Sequence, residues 1–370
     1  MLYLHPVILA EMIVLGIETS CDETAVGVVE DGITMLANAV YSSMDLHAAF
    51  GGVVPEIAAR SHIEVMTPVA KEALLTAFPG VSEEEAWQKI DAIAVAYGPG
   101  LGGSLLIGVM AARSLAIAKN KPLYAVNHVV GHVYANFLIE TSLAGYTLPK
   151  SQPQFPFLAL TVAGGHSQLT LFHDYFGYEV LGRTRDDAIG EAFDKVAKIL
   201  GLPYPGGPSV AAMAEGGDAV KYKLPKAKLD NKYEWSFSGL KTAVLRLAQQ
   251  EVGKDFTLPS MELPDLLTDT QKRDIAASFQ RVAIETIVDK VENAYKEFHP
   301  RSVVIGGGVA ASQELRRQLA DRLPSKPSYT DIKLCTDNGA MIATLGCYHV
   351  MHNQPEADPY SVSITPNLSM

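Results

Sequence analysis

The chain has 370 residues, of which 48% are hydrophobic and 19% charged, and its formal net charge is −11. The composition excludes a disordered chain, and the length exceeds that of a usual single core, so two packed domains are expected. Three cysteines, none of them in a C-x-x-C pair, exclude a disulfide framework and a cysteine zinc site. We expect a reducing, cytoplasmic compartment.

Residues 1–10 are apolar, but they lack a basic region ahead of the apolar run and lead directly into a strand pattern. This argues against a signal peptide, and Met12 is an alternative start. No apolar run approaches the roughly 20 residues that a membrane span needs. No membrane contact is therefore expected.

Two similar strand, turn, strand units occur in the two halves of the chain. Residues 13–17 and 25–29 are short apolar runs joined by a polar turn, and residues 157–162 and 168–172 repeat the arrangement around a small-residue turn. Both units read as hairpins. Their recurrence predicts a duplicated architecture.

Strand and helix patterns alternate over the remainder of the chain, which indicates an α/β fold. The expected strands are 91–96, 302–305 and 332–334, and the expected helices are 55–78, 104–119, 272–298 and 338–352. A segment rich in Gly, Pro and polar residues, 143–155, is the expected connection between lobes. The predicted domains are 12–145 and 146–336, with a C-terminal helix in 337–356 that packs back towards the first domain.

Four glycine-rich turns follow or link these strands, at residues 98–103, 164–165, 206–207 and 306–308. Glycine lets backbone amides approach an anion closely, and an adjacent helix N-terminus adds positive potential. Taken together, the turns predict nucleotide binding. No Walker loop and no Rossmann fingerprint occurs in the sequence.

His128 and His132 are spaced i and i+4, so on a helix their imidazoles lie on one face and can share a metal ion. The segment lacks the glutamate of H-E-x-x-H, which disfavours a zinc peptidase. Asp337 lies between a predicted strand and a predicted helix. It is well placed as a helix N-cap, or it could complete a two-histidine, one-carboxylate metal site.

Three acids, Glu18, Asp22 and Glu23, crowd the turn of the first hairpin. They either cap the turn and face solvent, or one of them orients a metal-bound water or accepts a proton.

Five lysines between 221 and 232, flanked by aromatic residues, form the best candidate patch for nucleic acid in this acidic chain. The pattern favours a solvated loop.

The chain resembles the bacterial TsaD branch of the tRNA adenosine threonylcarbamoyltransferases, once labelled glycoproteases. The resemblance implies a two-lobed actin/Hsp70/sugar-kinase-like (ASKHA) ATPase fold with a central cleft for an adenine nucleotide or threonylcarbamoyl-adenylate. It also implies transfer of the threonylcarbamoyl group from that adenylate to N6 of the adenosine 3′ of the anticodon, with release of AMP. The resemblance is carried by GIETSCDETAVGVV at 16–29, HAAFGGVVPEIAARSH at 47–62, AYGPGLGGSLLIG at 96–108, NHVVGH at 127–132, AGGHSQL at 163–169, DDAIGEAFDKVAKILGLPYPGGP at 186–208, WSFSGLKT at 235–242 and CTDNGAMIA at 335–343.

By position, the resemblance implies that His128, His132 and Asp337 bind one divalent ion, iron or zinc. The implied substrate-binding positions are Thr161, Val162, Ala163, Gly164, Gly165, Asp194, Gly207 and Ser312. Two of them depart from the family pattern. Ala163 stands where a hydroxyl residue is usual, and Ser312 stands where Asn is usual, so each loses hydrogen-bonding capacity.

A weakly nucleophilic exocyclic amine needs an activated carbonyl, and we expect Asp22 or Glu23 to position the amine or take its proton. The resemblance implies tRNA, a TsaB-like paralogue and a TsaE-like small ATPase as partners. Two competing functions remain: a sugar-kinase-like phosphotransferase, and a nucleotide-switched scaffold on the same fold. The histidine pair with Asp337 favours the transferase, since kinases hold Mg²⁺ through carboxylates and phosphates.

Overall fold

The computed structural model describes residues 11–370, so the expectation about a signal peptide in residues 1–10 lies outside the described part of the chain. The chain divides into two compact units. The first comprises the described residues up to Ser43, Pro55–Lys150 and Asp337–Met370; the second comprises Met44–Val54 and Ser151–Thr336. Each unit has its own cluster of buried apolar side chains.

Each unit contains one mixed sheet. The strands are β1 Ile13–Glu18, β2 Glu23–Glu30, β3 Thr34–Ser42, β4 Ala92–Gly98, β5 Leu123–Asn127, β6 Glu140–Thr141, β7 Phe157–Val162, β8 Ser167–Phe172, β9 Tyr178–Arg183, β10 Ser302–Gly306 and β11 Ser328–Tyr329. The first sheet has the order β5-β4-β1-β2-β3-β6 and the second the order β11-β10-β7-β8-β9. In both, three antiparallel strands continue into parallel ones. This shared topology confirms the predicted duplication.

Each sheet packs against helices. They are α1 Met44–Ala48, α2 Pro55–Ala77, α3 Glu83–Lys89, α4 Gly102–Lys119, α5 His128–Tyr134, α6 Ile189–Leu200, α7 Gly206–Ala214, α8 Ser238–Glu251, α9 Leu263–Leu266, α10 Asp269–Phe298, α11 Gln313–Arg322 and α12 Gly339–Met351. The predicted long helices are confirmed. The helix expected from residue 272 begins earlier because Thr268 and Gln271 form a reciprocal capping box.

Near the C-terminus, one predicted strand is wrong, and one of the two roles left open for Asp337 is not observed. Residues Ile332–Leu334 form a 3₁₀ turn instead of a strand, because the Asp331 side chain accepts a hydrogen bond from Lys333 N and closes the turn. Asp337 is not the N-cap of α12. Asn338 takes that place, and its Oδ1 accepts from Met341 N at 2.9 Å. The carboxylate of Asp337 is therefore not used for capping.

Helix α12 packs on the first sheet through a contact between backbones. Gly16 and Gly27 are paired across β1 and β2. A Cβ atom on Gly16 would lie 2.2 Å from Ala343 N, and one on Gly27 would lie 2.2 Å from Ala340 N. Because any side chain at these positions would collide with the helix backbone, the two glycines fix how closely α12 approaches the hairpin.

Helix α4 is the one helix in residues 11–370 that is long and apolar enough to cross a membrane by length and composition. It packs along β4 and α2 of the first unit, as a layer helix of an α/β fold does. Its other side exposes a stripe of large apolar residues, Leu106, Met110 and Ile117.

Candidate metal centre and substrate surface

Helix α5 contains the two histidines, and Asn127 is its N-cap. The side chain of Asn127, the last residue of β5, accepts hydrogen bonds from Val129 N at 2.8 Å and Val130 N at 3.2 Å. This capping starts the helix at His128 and places His132 one turn later on the same face. The two rings lie 4.8 Å apart between centroids, and both side chains are buried.

The structure brings Asp337 to this pair. Its Oδ1 lies 3.2 Å from His132 Nε2 and 3.7 Å from His128 Nε2. The three residues can each offer a ligand atom, all within 4.8 Å of one another. Ligand atoms bound at 2.0–2.2 Å around one tetrahedral ion are separated by about 3.4 Å. The spacing is therefore compatible with a single shared ion.

Two further observations fit a cation at this place. The contact of His132 with Asp337 is not aligned as a hydrogen bond, so both ring nitrogens of His132 are buried without a hydrogen-bond partner among the described residues. Buried polar atoms of this kind are costly unless an ion or water satisfies them. Two imidazoles with one carboxylate are a ligand set that suits zinc or iron.

A fourth residue, Glu18 at the end of β1, belongs to this cluster; the sequence placed it among the three acids of the first hairpin but gave it no specific role. Its side chain is fully buried, and its Oε2 lies 2.9 Å from His128 Nδ1. Ser20 Oγ also contacts His128 Nδ1, at 3.1 Å. Burial lowers the pKa of His128, but the Glu18 and Asp337 carboxylates outweigh it and raise this pKa to about 9.

The predicted catalytic acids border the same cluster. The Asp22 carbonyl accepts hydrogen bonds from Ser43, and Glu23 Oε1 accepts from Ser42 Oγ at 3.3 Å. Burial, reinforced by the negative charges of Asp337 and Asp22, raises the pKa of Glu23 well above its usual range. A cation among these carboxylates would offset that repulsion.

In the second unit, the turn that follows β7 is open to solvent. Ala163 N donates to His166 O at 2.7 Å and closes the turn. A Cβ atom on Gly164 or Gly165 would meet no other atom, so the space beside these amides is free for a ligand. Thr161 Oγ1 is buried without a hydrogen-bond partner in the described chain, and Val162 is buried in the sheet.

Helix α6 brings Asp194 near this turn. Gly190, in the first turn of the helix, closely approaches Gly164, and Asp194 follows one turn later on the same face. Asp194 Oδ1 accepts from Gly206 N at 2.7 Å, and burial raises the pKa of this carboxyl group. The neighbouring Gly207 borders open space. These predicted residues therefore share one surface of the second unit.

Two other predicted features, Ser312 and the turn at 98–103, form hydrogen bonds within the protein. Ser312 caps α11 by accepting from Leu315 N at 3.3 Å, so its hydroxyl group is engaged. The turn at 98–103 is filled by protein: Gly100 N donates to Pro366 O, and Leu101 N donates to Ser20 O. The C-terminal segment and the first hairpin thus already use the amides of Gly100 and Leu101, so these two amides are not available to an anion.

The lysine patch at 221–232 is largely neutralised within the protein. Lys221 pairs with Asp274 at 2.7 Å, Lys226 pairs with Asp289 at 2.8 Å, and Lys232 pairs with Glu297. Two of the flanking aromatic side chains, those of residues 233 and 235, are buried and cannot stack on bases. This arrangement agrees with the interpretation as a structural loop.

Comparisons with known proteins agree with one another. The sequence model of the TsaD family, described as tRNA N6-adenosine threonylcarbamoyltransferase, matches residues 34–344. The relative of that name from Caldicellulosiruptor saccharolyticus is 44% identical over 362 residues, which cover 97% of this chain and 98% of the relative. The relative from Symbiobacterium thermophilum is 46% identical over 343 residues, covering 92% of each.

The fold of the chain is also similar to that of a solved structure. The crystal structure of T. kodakarensis HypF matches with a TM-score of 0.56 at 13% identity, covering 92% of this chain and 48% of HypF. At this identity the match bears on the fold alone. Together with the two repeated sheets, it confirms the predicted actin/Hsp70/sugar-kinase-like architecture.

Proposed function

Because the chain belongs to the family of tRNA N6-adenosine threonylcarbamoyltransferases, we propose that it transfers a threonylcarbamoyl group to N6 of an adenosine in tRNA. The donor is threonylcarbamoyl-adenylate, and the acceptor is the adenosine 3′ of the anticodon in tRNAs that read codons beginning with A. The N6 nitrogen bonds to the carbamoyl carbon, the bond from that carbon to the phosphate oxygen breaks, and AMP leaves with the electron pair.

The convergence of His128, His132 and Asp337 is the observation that carries this proposal. These three residues hold one divalent ion, iron or zinc. When bound, such an ion supplies Lewis acidity to an oxygen of the threonylcarbamoyl group. Neither a sugar kinase nor a scaffold needs this ligand set, so neither alternative is favoured.

The remaining predicted residues hold the donor and move the proton. The backbone amides at 163–165 cradle the phosphate or acyl oxygens, Asp194 binds a ribose hydroxyl, and Gly207 leaves room beside it. The N6 proton passes to Asp22 or Glu23, the two acids that lie beside the metal cluster. Predicted domains 12–145 and 146–336 supply the two lobes, and 337–356 brings Asp337 to the histidines.

We further propose that partners contribute to tRNA capture in the cytoplasm. The lysines at 221–232 are mostly paired with acids, and the net charge of −11 opposes RNA binding by this chain alone. A TsaB-like paralogue and a TsaE-like small ATPase are the expected partners. The exposed apolar stripe of Leu106, Met110 and Ile117 on α4 offers a suitable surface for a protein partner.

Reconstitution tests this function directly. The full chain, its partners, tRNA and threonylcarbamoyl-adenylate are incubated with and without chelator, and the modified nucleoside is read by mass spectrometry. His132→Ala should abolish transfer, whereas His173→Ala, which changes an exposed histidine outside the cluster, should not. Full transfer by the folded His132→Ala variant would support the role of a nucleotide-switched scaffold instead. In a separate incubation with ATP and sugars, stoichiometric formation of sugar phosphate would support the sugar-kinase-like function.

A further inference from the structure

We propose that Glu18 is a positioning residue of the metal centre: its buried carboxylate holds the proton of His128 on Nδ1, so that Nε2 faces the metal. The inference rests on the metal centre proposed above, but not on the reaction carried out there. It assigns a role to a carboxylate that is neither a metal ligand nor one of the expected proton acceptors.

Glu18 is held rigidly where it meets the ring. It is the last residue of β1, is paired with Ala25 of β2, and has a fully buried side chain. Its Oε1 accepts the backbone N–H of Ser20, and its Oε2 lies 2.9 Å from His128 Nδ1. A neutral side chain could accept the hydrogen bond from the Ser20 amide equally well, so this bond does not explain why a carboxylate is buried here. The buried negative charge is explained by the imidazole that it contacts.

The hydrogen-bond roles determine which ring nitrogen is left free. A backbone N–H can only donate, so Oε1 must accept from Ser20. Oε2 can also only accept when the carboxyl group is ionised, so His128 Nδ1 carries the proton. His128 Nε2, which lies 3.7 Å from Asp337 Oδ1, is then the atom with a lone pair for the metal. Carboxylates commonly orient histidine ligands of metals in this way.

Only one of the two histidines receives this support. Both ring nitrogens of His132 lack a hydrogen-bond partner within the described residues, whereas His128 Nδ1 contacts both Glu18 and Ser20. His128 is therefore the ligand whose tautomer the protein selects. A loss of Glu18 should act through His128 and leave His132 and Asp337 in place.

Glu18→Gln separates this role from simple space filling. The amide has nearly the same shape, but its oxygen must face the Ser20 N–H, which turns its NH₂ group towards His128 Nδ1. That NH₂ group donates, so His128 would carry its proton on Nε2, the nitrogen that the metal needs. Binding would then require two N–H groups to face each other, and zinc affinity should fall about 10- to 100-fold.

Zinc affinity of the full metal-free chain is measured by competition with a chromogenic chelator, at several pH values and under the same conditions for every variant. Asp31→Asn is the matched control. Asp31 lies in the turn between β2 and β3 of the same sheet and accepts from Met12 N at 2.9 Å, a bond that an amide oxygen keeps. We expect a large loss for Glu18→Gln and no loss for Asp31→Asn. A folded Glu18→Gln protein with unchanged zinc affinity would overturn the proposal.

A second measurement uses the wild-type chain, so it does not depend on how the variant folds. The zinc-loaded protein, labelled with ¹⁵N-histidine, is studied by NMR to locate the ring protons. The expected pattern for His128 is a protonated, hydrogen-bonded Nδ1 and a zinc-bound Nε2. Zinc on Nδ1 with the proton on Nε2 would refute the role of Glu18. Neither measurement depends on threonylcarbamoyl transfer, so failure of the proposed reaction remains a separate outcome.

Discussion

Gly27→Ala should damage the metal centre from a position that is not part of it. The new Cβ would lie 2.2 Å from Ala340 N and 2.4 Å from the carbonyl carbon of Gly339, both backbone atoms of α12. No side-chain rotation relieves this contact. Ordinary van der Waals contact begins at 3.4 Å, so the helix and the strand must separate by about 1.2 Å.

Two quantities should change as a result. Overpacking of a close-packed core costs about 1–3 kcal/mol, and the absence of a flexible neighbour places Gly27→Ala at about 3 kcal/mol of lost unfolding free energy. Asp337 immediately precedes Asn338, the N-cap of α12, and would move with the helix, whereas metal–ligand distances tolerate only about 0.2 Å. Zinc affinity of the folded variant should therefore fall at least tenfold.

Urea unfolding measures the first quantity, and chelator competition on the folded protein measures the second. Gly239→Ala is the control, because a Cβ there meets no atom within 4 Å and alanine favours the helix. If Gly27→Ala lost less than about 1 kcal/mol and bound zinc like wild type, the inference that backbone contact sets the position of Asp337 would be wrong.

Three further predictions concern stability. Burial lowers the pKa of His349 to about 4, so the folded state resists protonation of this side chain. The free energy of unfolding should therefore fall by about 2–3 kcal/mol as the pH drops from 6.5 to 4. Urea titrations should show that His349→Gln removes this pH dependence. Arg113 donates to three backbone carbonyls of the segment after α12, so Arg113→Gln should speed amide hydrogen exchange in that segment without unfolding the core. Phe279→Ala removes a fully buried ring that packs edge-on against Phe193, and calorimetry should show a loss of about 3–5 kcal/mol.

Much of the local structure could be predicted because its causes are local. Apolar runs with small-residue turns identified both hairpins, and apolar periodicity identified the long helices. The i, i+4 spacing of His128 and His132 predicted a shared face without knowledge of the tertiary fold. For Asp337 the local pattern left two roles open, an N-cap or a metal ligand, and the resemblance to a family favoured the ligand, because no spacing rule connects Asp337 to α5.

Errors arose where neighbours compete for the same local role. Asp337 and Asn338 are adjacent and both are good helix caps, so the sequence could not decide between them. Similarly, glycines at 98–103 indicate a tight turn, but they do not reveal that the C-terminal segment already occupies its amides. In each case, the outcome depends on which groups lie nearby in three dimensions.

The repeated hairpins, the long helices and the chemical types of the candidate ligands could be inferred from the amino-acid sequence, because they follow from periodicity and side-chain chemistry. Three features required the folded structure: the contact of Glu18 with His128, the position of Asp337 beside both rings, and the close packing of α12 on the paired glycines. These contacts join segments that are far apart in the chain. Their geometry is set by sheet register and backbone approach, which no local pattern encodes.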